Sequence, residues 1–189
     1  MNSDDVIRIL RSGSKEAIEN TLRFLAKDGL GGSLPDEVVR ELLPHADKGL
    51  VEQDLLREVL LRYPSPRSIG SFMVALSAAT VPDAEHALYA MGLWLPICSA
   101  DQREQIRAVL ERQTCSEHPI ISFLACVKGI RHLGFNESHW QQAAKAITAA
   151  DDGEWWQTIR SEVEEILEPA ETKRVNLILK GMGRKPLEP

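Results

Sequence analysis

Helical periodicity runs the length of this chain, and its start signals recur at a nearly fixed distance. Helices beginning near Ser14, Leu50, Pro82, His118 and Glu154 stand 36, 32, 36 and 36 residues apart. A shorter second helix follows each of them after a brief turn. A lone helix pair cannot bury both of its apolar faces, so a unit of this size must stack on copies of itself. The period therefore predicts an all-α fold: a right-handed α-α superhelix of about five helix-pair repeats.

The local pattern gives the same reading. Val51, Leu55, Leu56, Val59 and Leu60 fall on one stripe of a helix. Ile18, Leu22 and Leu25 make another stripe, as do Ile106, Val109 and Leu110, and Trp155, Ile159, Val163 and Ile166. No segment alternates with period two over a useful length, so little or no strand is expected.

Punctuation divides the chain further. Ser65-Pro66 and Glu168-Pro169 put proline at a first helical position, where its missing N–H costs nothing. Ser99-Ala100-Asp101-Gln102 fits a capping box. Gly29, Gly31-Gly32, Gly134 and Gly153 mark ends and turns. The helices expected are 4–11, 14–28, 34–44, 50–63, 66–79, 82–97, 100–113, 118–133, 137–150, 154–167 and 170–180. Residues 1–180 are read as a single helical-repeat domain and 181–189 as a C-terminal tail.

Composition bounds the function. The 189 residues are 43% hydrophobic and 26% charged, enough to bury a core without staples. The formal charge of −6 argues against DNA or RNA as the main ligand, since nucleic-acid binders carry a basic face. Cys98, Cys115 and Cys126 are odd in number and irregularly spaced, a poor disulfide framework. They read as small core residues in a reducing compartment. Met1-Asn2-Ser3-Asp4-Asp5 lacks the basic start and apolar run of a signal peptide, and no apolar window reaches transmembrane length. A cytoplasmic chain is expected.

The segments Asp83-Ala84-Glu85-His86-Ala87-Leu88-Tyr89-Ala90-Met91-Gly92-Leu93 and His118–Gly134, which ends Ile130-Arg131-His132-Leu133-Gly134, carry a family resemblance. Small and apolar residues closing near Leu-Gly resemble the first helix of HEAT-like or armadillo-like units, over about residues 14–180. The proline and arginine that recur in many HEAT units are not in register here. The resemblance implies a binding scaffold whose concave surface is lined by the second helices.

Chemical motifs are sparse. His45, His86, His118, His132 and His139 show no metal-ligand spacing. Cys115-Ser116-Glu117-His118 groups a thiol, a hydroxyl, a carboxylate and an imidazole. It lies in an interhelical turn, where helix capping by Ser116 explains it as well as nucleophile activation would. Gly29-Leu30-Gly31-Gly32-Ser33 lacks the lysine of a phosphate loop. No metal, cofactor or catalytic residue is expected.

The unusual region is near the C-terminus. Trp155 fits a core stripe, which turns Trp156 toward the flank; tryptophan is enriched at interface hot spots. Residues 151–171 hold eight carboxylates against Arg160, a net −7, while residues 172–189 carry +4. Trp156 with Asp151, Asp152, Glu154, Glu164, Glu165 and Glu168 is therefore the expected partner-binding patch, suited to a basic protein. The chain resembles, at the level of fold, the small solenoid immunity proteins of contact-dependent inhibition systems. That implies a non-enzymatic antitoxin that neutralises a basic toxin domain. The alternative is a HEAT-like nucleic-acid-binding or DNA-repair protein, which would use the arginines at 57, 62, 103 and 107.

Overall fold

The computed structural model describes every residue except 28, 31–33, 49–50, 52, 79–80, 151–162, 164–165 and 188–189. Among the described residues it is all-α, with ten α-helices. These are α1 (Ser3–Ser12), α2 (Lys15–Lys27), α3 (Asp36–Lys48), α4 (Gln53–Arg62) and α5 (Ile69–Leu76). There follow α6 (Val81–Trp94), α7 (Ala100–Gln113), α8 (Pro119–Leu133), α9 (Glu137–Ala150) and α10 (Pro169–Gly181). A 3₁₀ turn, Leu95–Ile97, extends α6. Of the helix expected over 154–167, only Val163 and Ile166 lie among the described helical residues.

The helix ends follow the chemistry of their sequences. Asn2 Oδ1 accepts the Asp5 N–H at 2.9 Å and starts α1. The capping box at α7 is formed: Ser99 Oγ accepts the Gln102 N–H at 3.2 Å, and Gln102 Oε1 accepts the Ser99 N–H at 2.8 Å. Pro119 and Pro169 occupy first-turn positions of α8 and α10. Gly134 closes α8 at a φ of 65°.

Two expected boundaries are corrected. Pro66 does not open α5, which begins three residues later at Ile69. Ser65 and Ser68 are buried, and the Ser65 carbonyl accepts from both the N–H and the Oγ of Ser68, at 3.0 and 3.3 Å. That local turn competes with helix. In the other direction, α3 runs through Pro44 to Lys48 instead of stopping at 44.

Alternate helices pack on one another. α2 packs on α4, α4 on α6 and α6 on α8, so the helices that begin near residues 14, 50, 82 and 118 are neighbours in space. The first half of α8 is apolar nearly all round, with residues 120 to 127 buried. A helical stretch of that kind belongs inside a protein, and α8 packs against α6, α7 and α9.

The core forms two clusters. One gathers side chains from Val6 to Tyr63, the other from Leu61 to Leu187. α4 serves both: Val59 and Leu60 enter the first, Leu61 the second. Its end is tied to each side. The Tyr63 hydroxyl donates to the Leu25 carbonyl at 2.9 Å, and Trp94 Nε1 donates to the Leu61 carbonyl at 2.8 Å. Trp94 stacks on Phe72 with ring centroids 4.7 Å apart.

Cys98 and Cys126 are buried, as small core residues should be, and Cys115 is exposed in the turn after α7. Burial pushes the Cys126 thiol up to about 12, so it stays protonated. The expected tail returns along α10: Leu187 is buried, and its N–H and carbonyl both bond the Asn176 side chain, at 2.7 and 3.1 Å.

Candidate functional site

Of the expected patch, Asp151, Asp152, Glu154, Trp156, Glu164 and Glu165 lie outside the described residues. Glu168 is described. It is exposed at the start of α10, and its N–H donates to Glu171 Oε2 at 2.9 Å. Its nearest structural role is therefore at a helix end.

The Cys115–His118 turn has its own geometry. Ser116 Oγ accepts the His118 N–H at 3.2 Å, while His118, not Ser116, stands at the N-cap of α8. Cys115 Sγ lies 3.8 Å from Thr114 Oγ1. Among the described residues no group of three or more His, Cys, Asp or Glu could hold a metal ion.

Among the described residues, α4, α6 and α8 together present a surface with the side chains of an interface. In α6 the buried stripe is Ala84, Ala87, Leu88, Met91 and Trp94. Tyr89 and Leu93, four apart, fall off that stripe. They are 37% and 56% exposed. From α8, Lys128 Nζ stands 5.6 Å from the centre of the Tyr89 ring. Such cation–π contacts are worth about 0.5–1 kcal/mol at exposed sites.

One turn further on, α6 and α8 approach closely. A Cβ on Gly92 would meet His132 Cε1 at 3.5 Å. On the other flank, Glu58, Leu61 and Arg62 of α4 and His86, Tyr89 and Ala90 of α6 line a cleft of about 200 Å³.

Charges on this face are tuned by their surroundings. Burial lowers the Lys128 ammonium below its ordinary range, and Arg131 lowers it further against the pull of Glu171. Partial desolvation, then Lys128 and Arg131, push His132 down, so its imidazole is neutral at pH 7. Burial raises the Glu85 carboxyl. Beside them, Arg131 forks onto Glu171, with Nε donating to Oε1 at 2.8 Å and Nη2 to Oε2. The pair fixes the start of α10 to α8.

Three of the arginines that a nucleic-acid groove would call on are engaged within the chain. Arg57 pairs with Asp54 and Asp83, and Arg62 donates to the Ala26 carbonyl. Arg107 donates to the Leu133 carbonyl and lies over the Phe135 ring. These contacts brace neighbouring helices.

Sequence reasoning missed Tyr89, Leu93, Lys128 and His132 as a group. Tyr89 and Leu93 stood in a segment read for its repeat pattern, where any apolar residue counts toward core. The available signal was their offset from the 84, 87, 88, 91, 94 stripe. The partnership with α8 is a tertiary fact. No family model matches the chain, and no curated protein or solved structure shows a detectable match to it.

Proposed function

We propose that this chain is a non-catalytic, cytoplasmic protein-binding module, built as a superhelix of helix pairs, and that the exposed face of α4, α6 and α8 receives the partner. The observation that carries the reading is the pair Tyr89 and Leu93, exposed one turn apart on α6, with the Lys128 cation over the Tyr89 ring. An aromatic and an aliphatic anchor ringed by charge is the usual make-up of an interface centre. The succession of contacts from α2 to α8 supports the repeat architecture. The HEAT-like resemblance implies a concave surface lined by the second helices; the exposed anchors favour the first helices as the docking layer.

The narrower reading is an immunity protein or antitoxin that blocks a basic toxin domain. It rests on the net −7 of residues 151–171 and on Trp156. Nucleic-acid or DNA-repair activity is disfavoured by the internal engagement of Arg57, Arg62 and Arg107.

The test is affinity capture from native extract with nuclease treatment, comparing wild type, Tyr89→Ser with Leu93→Ser, and Glu164→Lys with Glu165→Lys. A stoichiometric protein lost only from the first variant supports the α6 face. Loss of a basic protein from the second alone moves the partner site to the acidic run. Recovery of nucleic acid alone, released by salt, overturns the protein-binding reading.

A further inference from the structure

The chain is acidic overall, yet its last eighteen residues carry +4. Part of that charge frames an apolar groove. Lys173, Asn176 and Leu177, with Lys180 and Pro186, line a depression of about 380 Å³ on the outer side of α10. Leu177 is 72% exposed. The opposite side of α10 is the buried one, carrying Val175 and Leu179. Lys173, Leu177 and Lys180 are four and three residues apart and share one face of the helix. Their spacing sets the two lysine Cα atoms roughly 10 Å apart. Neither ammonium pairs with a carboxylate among the described residues.

The groove has a fixed wall. Gly183 is left-handed at φ 71°, the Gly183 N–H reaches the Lys180 carbonyl at 3.0 Å, and the Arg184 N–H reaches the Leu179 carbonyl at 2.8 Å. These are the two bonds of a Schellman motif. It reverses the chain and sends Pro186 back along α10. The Asn176 bonds to Leu187 then hold it there.

We propose that this groove is a second docking site, and that it takes an acidic amphipathic helix of a partner protein. One apolar side chain of that helix fills the groove over Leu177, and carboxylates about seven residues apart reach Lys173 and Lys180. Charge complementarity selects the occupant: two cations with no carboxylate partner among the described residues bracket an aliphatic floor. A membrane surface fits less well, because an interfacial helix needs a whole apolar face and most of the apolar face of α10 is turned into the core. Single-stranded nucleic acid would want an aromatic platform, and the floor here is aliphatic. The site is on a different helix from Tyr89 and Leu93, so it stands or falls separately from the α6 reading.

The experiment is fluorescence anisotropy on the full chain. The probe is a labelled helical peptide of roughly 16 residues built from Ala, Leu and Glu, with glutamates seven apart flanking a leucine. Saturable binding at micromolar Kd is expected, weakened about 10-fold or more by Leu177→Asp and by Lys173→Glu with Lys180→Glu. The charge-reversed variant should regain affinity for a peptide bearing lysine at the two glutamate positions. Leu177→Ser serves as a milder second variant. All three positions are exposed, so circular dichroism should show folded protein throughout. Equal binding by all variants, or none at about 500 µM peptide, overturns the proposal. So does a dimer seen by sedimentation that Leu177→Asp abolishes, or displacement of the peptide by anionic vesicles or oligo-dA.

Discussion

Gly129 lies beneath the ring of Phe135. A Cβ there would stand 2.3 Å from Phe135 Cδ2, far inside contact distance. The ring cannot swing clear, because it is buried and lies against His139 and beneath Arg107. Gly129→Ala should therefore cost about 1–3 kcal/mol by overpacking, measured by urea denaturation. Gly70 in α5 has nothing within 4 Å of the same position. Gly70→Ala should be neutral or stabilise by up to about 1 kcal/mol. Equal effects would contradict the packing at α8. His132 offers a pH test at the same scale. Its folded pKa is depressed, so the unfolded chain takes up the proton first as pH falls through about 6.5. The stability it contributes is present above that pH and lost below it. From pH 7.5 to 5.5, wild type should lose more thermal stability than His132→Gln; equal losses would refute the assignment.

Between elements, the Arg131–Glu171 fork holds α10 to α8. Burial pushes the Glu171 carboxyl up. The hydrogen bonds from Arg131 and from the Glu168 N–H, with the Arg131 charge, outweigh that and leave it lowered. Its stabilisation is therefore present above the ordinary glutamate pKa and is lost as pH drops through the folded value. Arg131→Ala should cost about 1–3 kcal/mol near neutral pH, because it strands a half-buried carboxylate. The deficit should shrink in acid, where Glu171 protonates in both proteins. An unchanged deficit would place the cost in lost packing instead. Element limits were legible where a capping signal acted alone, as at Ser99 and Pro169. They were misread at Pro66, where the bonds between Ser65 and Ser68 made a turn that the proline signal does not encode.

Across the whole molecule, the all-helical class was legible in the sequence period, because stripes of Leu, Val and Ile recur at helical spacing. The period did not carry the division of the core into two clusters sharing α4, in which Leu60 and Leu61, about 100° apart around the helix, enter different clusters. Nor did it carry the candidate face, since the nearness of Tyr89 to Lys128 joins helices 39 residues apart in the chain. Leu22→Ala and Leu124→Ala, one from each cluster and both fully buried, should each cost about 2–5 kcal/mol. Leu55→Ala, only partly buried, should cost less. The most direct test of the binding account is site-specific photo-crosslinking in living cells, with a photoreactive phenylalanine at position 89 and, as control, at exposed position 145 of α9. The account predicts one discrete protein adduct from position 89 that is absent from position 145. The same adducts from both positions, or none from 89, would contradict it.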